Sequence, residues 1–290
     1  MALHEILIAP FTEFAFMRRA LAGVIALALA GPPLGVFLIL RRLALTGDAV
    51  GHAILPGAAL GYLVAGVSLG PMTIGGLAAG LTVAIGSGVV ARTTILREDA
   101  SLAAFYLISL ALGVTIVSLR GSNVDLLHVL FGSVLALDDA TLILLAAIAS
   151  VTLPALAVLY RPLVMETVDS QFLASVSRSG GVVQIAFLAL VVLNLVGGFQ
   201  ALGTLLAVGM MMLPAASARL ITDDMTVMIA IAAAQGILAG YAGLVISFYA
   251  GLPSGALIIL VAGVLYLLAL IISPAGGLLR RLKPGRHLEA

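Results

Sequence analysis

The chain has no cysteine, a single lysine, and charge on only 9% of its 290 residues. Without cysteine, disulfides and thiolate metal sites are excluded. A soluble domain places charge on roughly a quarter of its residues, and no polar stretch here is long enough to form one. The lone lysine, Lys283, lies near the C-terminus, and no G-x-x-x-x-G-K-[ST] loop occurs. Any nucleotide hydrolysis must therefore take place on another chain. A net charge of +1 leaves no broad basic surface for nucleic acid.

What fills the sequence instead is apolar: 62% hydrophobic residues and 32 glycines. Runs of about 20 apolar residues recur, the length at which a helix crosses a bilayer with its backbone satisfied internally. The expectation is an all-α polytopic transmembrane bundle, a single transmembrane domain over 1–290. Nine spans are expected, near 20–40, 49–67, 71–91, 101–119, 140–160, 182–197, 202–218, 226–249 and 255–273. Gly47 with Gly51 and Gly57 with Gly61 form small-xxx-small pairs suited to close helix approach. Leu126–Leu137 is too short to cross and is expected to lie at an interface or re-enter. Arg18 and Arg19 before an apolar run ending Ala28-Leu29-Ala30 resemble a signal peptide. The leader contains Glu5 and Glu13, however, and the run continues through Leu40, so the reading is an uncleaved span preceded by a leader or interfacial segment, 1–19.

With the N-terminus outside, the inner loops hold Arg41, Arg42, Arg92, Arg97, Arg161, Arg178, Arg219, Arg280, Arg281, Lys283 and Arg286, against Arg18, Arg19 and Arg120 outside. The positive-inside rule then places the C-terminus and the tail 274–290 in the cytoplasm.

Against this background the stretch "RRLALTGDAVGHAILPG" (41–57) stands out. If 44–67 is helical, Asp48, His52 and Pro56 share one face, because residues four apart stack one turn above another. An ionisable group at membrane depth reads as functional by default. Pro56 lacks an N–H, so the carbonyl of His52 loses its usual partner. A carboxylate, an imidazole and a spare carbonyl make half of a divalent-cation site with donors suited to zinc, manganese or iron. The alternative is that Asp48 caps the helix and His52 hydrogen-bonds a neighbouring one. Asp48 also lies only six residues past Arg42, nearer the inner face than the midplane of a straight helix.

Elsewhere, Asp125 and His128 form an i, i+3 pair in the outer segment; they could be an outer ligand set, or a cap and an ordinary interfacial residue. Met210, Met211 and Met212 point about 100° apart and cannot converge on one ion, so they are packing residues. Pro214 behind them marks a bend. In 161–180, Val164, Val168, Phe172 and Val176 repeat every four residues, with Glu166, Asp169 and Arg178 on other faces. That pattern gives a short amphipathic helix, and its lack of Lys/Arg enrichment argues against a lipid-surface role.

"PLGVFLILRRLALTGDAVGHAILPG" resembles the second-span signature of the permease subunits of zinc/manganese/iron ATP-binding-cassette importers. "SNVDLLHVLFGSVLAL" (122–137), "GFQALGTLLAVGMMMLPAASARL" (198–220) and "GLPSGALIIL" (251–260) are similar to three further blocks of that family, in family order across nearly the whole chain. The resemblance implies a permease of the bacterial cytoplasmic (inner) membrane that dimerises and docks cytoplasmic ABC ATPase subunits. It further implies that the permease receives metal from an extracytoplasmic metal-binding protein. It implies that Asp48 and His52 are pathway ligands, and that 161–180, with Val164, Val168, Asp169, Phe172 and Val176, couples to the ATPase. Many members carry an Asp where this sequence has Gly251. A pathway poorer in carboxylates shifts the expected ion from manganese toward zinc.

Two other functional classes use intramembrane polar residues. A secondary transporter would show paired intramembrane acids and internal repeats; Asp48 stands almost alone and no repeat is evident. An intramembrane protease would need a second aspartate, or a serine such as Ser87 or Ser254 beside His52.

Overall fold

A computed structural model describes residues 3–66, 68–119, 134–168 and 180–273. Asp125, His128, Asp169, Phe172, Val176 and the tail 274–290 lie outside the described residues. The helices are α1 (Leu3–Glu13), α2 (Ala15–Leu40), α3 (Ala44–Ala53), α4 (Leu55–Ala65), α5 (Leu69–Thr93), α6 (Glu98–Leu119), α7 (Asp139–Val168), α8 (Gly180–Leu202), α9 (Thr204–Ile221), α10 (Met225–Ala250) and α11 (Ser254–Ile272). Among the described residues, nine spans are long and apolar enough to cross a membrane, with α3 and α4 together making the second. The fold is the expected all-α polytopic bundle.

The central post is α2, which packs on α7, α8, α9 and α10. Its small residues allow this. Gly35 lies against the backbone of Met211 on α9, and Gly236 of α10 meets Ala28 and Pro32. Residues from Gly31 to Leu38 are all buried although Pro32 and Pro33 interrupt the hydrogen-bond ladder there. The three methionines diverge as their spacing requires. Met210 and Met211 are buried in separate apolar clusters, whereas Met212 is half-buried beside Gly47.

The leader is a packed element. The Phe11 ring of α1 stacks on Tyr241 of α10 at 5.2 Å, the Tyr241 hydroxyl donates to the Leu7 carbonyl at 2.8 Å, and Phe14, between α1 and α2, meets Phe248 at 5.3 Å. Such a cluster of rings suits a membrane–water boundary. Residues 134–136 form a 3-10 turn that buries Val134 against the end of the bundle where α2 begins.

At the other end of the chain's fifth span the structure departs from the expectation. Periodicity placed a separate amphipathic helix from 161, but α7 runs unbroken through Pro154 and Pro162 to Val168. Leu163 is fully buried and Val164 packs beside the core, so tertiary burial carries the helix past the second proline. Val168 is exposed at the tip.

Candidate functional site

Span two is built as two short helices joined at Ile54, with Pro56 in the first turn of α4. A proline there removes an N–H and ends the ladder of the preceding turn. The break is stabilised from outside, since Ser109 of α6 donates its buried hydroxyl to the Ala53 carbonyl at 2.9 Å. The break also lets each half follow a different neighbour. Gly47 and Gly51 face Met212 and Val208 of α9, whereas Gly57 and Gly61 press on Gly75 and Pro71 of α5. Both small-residue pairs read from the sequence are therefore interfaces.

The remaining face of span two is left exposed or half-exposed by the described residues. Leu45, Asp48, His52, Leu55, Ala59 and Leu63 form one exposed or half-exposed stripe, while Thr46, Gly47, Ala49, Val50, Gly51 and Ala53 are buried. The Asp48 side chain is 67% and the His52 side chain 33% exposed, with His52 Nε2 and Asp48 Oδ1 3.7 Å apart. Two donors sharing one ion with bonds near 2.1 Å would stand about 3.0–3.4 Å apart, so a small side-chain adjustment lets both reach the same cation. Asp48 does not cap α3, which begins at Ala44 with no side-chain cap on its N-cap residue. Among the described residues, no group of three or more His, Asp or Glu stands ready to hold a metal. This pair is half a site.

At the opposite end of the bundle, Asp138 caps α7 by accepting from the Thr141 N–H at 2.9 Å. That hydrogen bonding holds the carboxyl below the usual carboxylate range. Beside it Asp139 pairs with Arg19 at 2.8 Å. Gly251, where the sequence resemblance leads one to expect an Asp, ends α10 in the left-handed region, φ +66°, its N–H donating to Ser247 at 2.9 Å. Glycine there has a backbone reason independent of any ion.

Sequence reasoning missed one buried polar cluster. Arg41 closes α2 and pairs with Glu166 on α7 at 2.8 Å, with side chains only 9% and 12% exposed. In the sequence Arg41 reads as an inner-side charge and Glu166 as part of the polar face of a short amphipathic helix, and a single sequence offers no signal that they meet.

Residues 13–273 match the ABC 3 transport family. The chain belongs to that family. It is 33% identical over 96% of its length to the manganese transport system membrane protein MntC of Halalkalibacterium halodurans, covering 94% of that protein. It is 29% identical over 96% of its length to a probable iron transport system membrane protein of Haemophilus influenzae, covering 97% of it. Among solved structures it resembles PsaBC from Streptococcus pneumoniae in complex with Fab, with TM-score 0.82 and 28% identity over 95% of this chain and 98% of that one. The family assignment agrees with the four sequence blocks. The relatives' names give no support to the expected lean toward zinc.

Proposed function

We infer that this chain is the membrane permease of an ATP-driven importer of a divalent transition metal, with manganese the first candidate and iron the second. The single observation that carries this reading is the uncovered stripe on span two. An aspartate and a histidine on a membrane helix are costly in lipid and are expected to face protein or water. In one copy, the described residues leave Asp48 largely and His52 partly exposed. A second copy of the chain, forming a homodimer, would turn the stripe into a seam and supply the missing ligands of the half-site. Relatives named for manganese outweigh the argument from Gly251, since that glycine is explained by helix termination.

In this reading Asp48 and His52 give the passing ion temporary ligands, few enough that it can leave. Separate cytoplasmic ATPase subunits drive alternating access of the seam, and an extracytoplasmic binding protein delivers the metal. The arginine-rich loops face the cytoplasm, and the segment beginning at Arg161 and running to 180, with Val164, Val168, Asp169, Phe172 and Val176, receives the ATPase's motion. Asp125 and His128 are secondary ligand candidates near the outer opening. The chain sits in the bacterial cytoplasmic membrane with its N-terminus outside.

The rival classes fare worse. Family membership favours an ATP-driven system over an ion-gradient one, and the hydroxyl of Ser87 is engaged by the Ala84 carbonyl at 3.1 Å, a poor start for a protease. The test is metal uptake by the chain co-expressed with its ATPase and binding protein in a strain lacking the system, with manganese, iron and zinc supplied separately. Manganese-dependent rescue, abolished by Asp48→Asn and by His52→Ala, supports the reading. Uptake by the chain alone without ATPase would defeat it.

A further inference from the structure

Among the ion pairs of the described residues, only Arg41–Glu166 is buried on both sides; in the others the carboxylate side chain is 66–80% exposed. The guanidinium is held on three sides. Nη2 donates to Glu166 Oε2 at 2.8 Å, Nε donates to the Thr167 hydroxyl at 3.3 Å, and the group stacks over the Phe187 ring of α8, 5.1 Å from its centre. Phe37, one turn back on α2, meets Phe187 and Tyr160 edge-on. A buried pair of this kind is often no more stabilising than apolar side chains of the same volume. Stability therefore does not explain its presence.

The backbone beside it carries a second anomaly. Arg42 has φ +61°, the one non-glycine residue with positive φ in the described chain. It occupies the position where a helix-ending turn ordinarily takes glycine. Leu43 N–H reaches back to Leu38 and Arg42 N–H to Ile39, at 2.8 and 3.0 Å. Between the last residue of α2, Leu40, and the first of α3, Ala44, the chain has no slack. A strained joint is thus gripped by a buried charge pair, and the helix that starts from this joint carries Asp48 and His52.

We propose that Arg41 and Glu166 are a positioning pair through which the inner end of α7 holds the α2–α3 joint and sets where Asp48 and His52 stand in the pathway. The pair rests on the function inferred above, because Glu166 lies within the 161–180 segment that would receive the ATPase's motion. Displacement of α7 at Glu166 pulls on Arg41. The tight turn passes that pull to α3 as a rigid lever, and Asp48 sits about 6 Å along it. The paired, partly desolvated charges make the grip directional, and the Phe187 ring covers the guanidinium from the α8 side.

The test uses the full complex with its ATPase and binding protein in liposomes, reading manganese uptake and ATP hydrolysis together. Glu166→Gln removes the charge and keeps the shape. The expected result is an assembled complex that hydrolyses ATP near the unmodified rate while manganese imported per ATP falls about ten-fold, the size of a typical coupling between sites. Glu166→Asp, which restores the charge, should recover much of that ratio. An unchanged ratio in assembled Glu166→Gln complexes overturns the proposal. So does a joint fall of uptake and hydrolysis that merely follows the amount of assembled complex and is the same in Glu166→Asp. Should Glu166→Gln fail to assemble, Thr167→Ala decides: a lowered ratio supports the pair and the unmodified ratio overturns it. Absence of ATP-dependent manganese uptake by the unmodified complex would instead remove the functional reading itself, and with it the pair's role.

Discussion

Replacing Gly57 by alanine tests whether the second half of span two is held by backbone contact rather than by lipid. A Cβ built on Gly57 would stand 2.5 Å from the Gly75 carbonyl carbon and 2.7 Å from the Ala79 Cβ. Ordinary contact needs about 3.5–4 Å, so α4 and α5 must part by about 1 Å. The obstacle is mainly backbone and cannot rotate away. Overpacking of this kind costs about 1–3 kcal/mol, and the upper half of that range is expected here. Gly88 on α5 is the control, since a Cβ there meets nothing within 4 Å. Both variants gain the same helix propensity, roughly 0.8 kcal/mol, so their difference isolates the contact. In a fluorescence-detected thermal assay of the detergent-solubilised complex, Gly57→Ala should melt about 3–8 °C below Gly88→Ala. Equal melting would refute the close α4–α5 packing and the broken second span built on it.

Other outcomes follow from single residues. Arg42→Gly should relieve the positive-φ position and raise stability by about 0.5–1 kcal/mol, read in the same thermal assay; a drop would mean the side chain matters more than the turn. Gly251→Val should cost more than 1 kcal/mol because φ is +66°. Gly251→Asp should cost less, since Asp tolerates that region better. Equal losses in the melting assay would contradict the helix-stop account. Asp138→Ala should lose the cap on α7, about 1 kcal/mol. Because the folded carboxyl of Asp138 titrates below its ordinary value, its contribution is present above the unfolded pKa and lost as pH falls through the folded one. Asp138→Asn, which can still cap, should flatten the melting curve's acid-side slope, and an unchanged slope would refute it.

Much of this architecture was legible because the bilayer sets one demand. About 20 apolar residues must satisfy their own backbone, so span number and order follow from hydropathy. The glycine pairs at 47/51 and 57/61 were legible for the same reason, since only small residues let helices meet so closely. What stayed hidden depends on tertiary neighbours. Nothing local says that Ser109 will accommodate the break after Ala53, or that α7 will continue past Pro162 because Leu163 is buried. The shared face of Asp48 and His52 could be read from spacing four. That this face is the one the described residues leave exposed could not, because it depends on where α5, α6 and α9 pack. Arg41 and Glu166 are 125 positions apart, and only the fold brings them together.

The central claim is that the Asp48–His52 stripe opens to water in a seam between copies, not to lipid. The absence of native cysteine makes it directly measurable. Leu55→Cys lies on the same stripe, one turn beyond His52, and leaves both proposed ligands in place. In the assembled complex, a charged, membrane-impermeant thiol reagent should modify this cysteine, and manganese should slow the reaction. Modification only by a lipid-soluble maleimide, unaffected by manganese, would place the stripe in the bilayer and contradict the account.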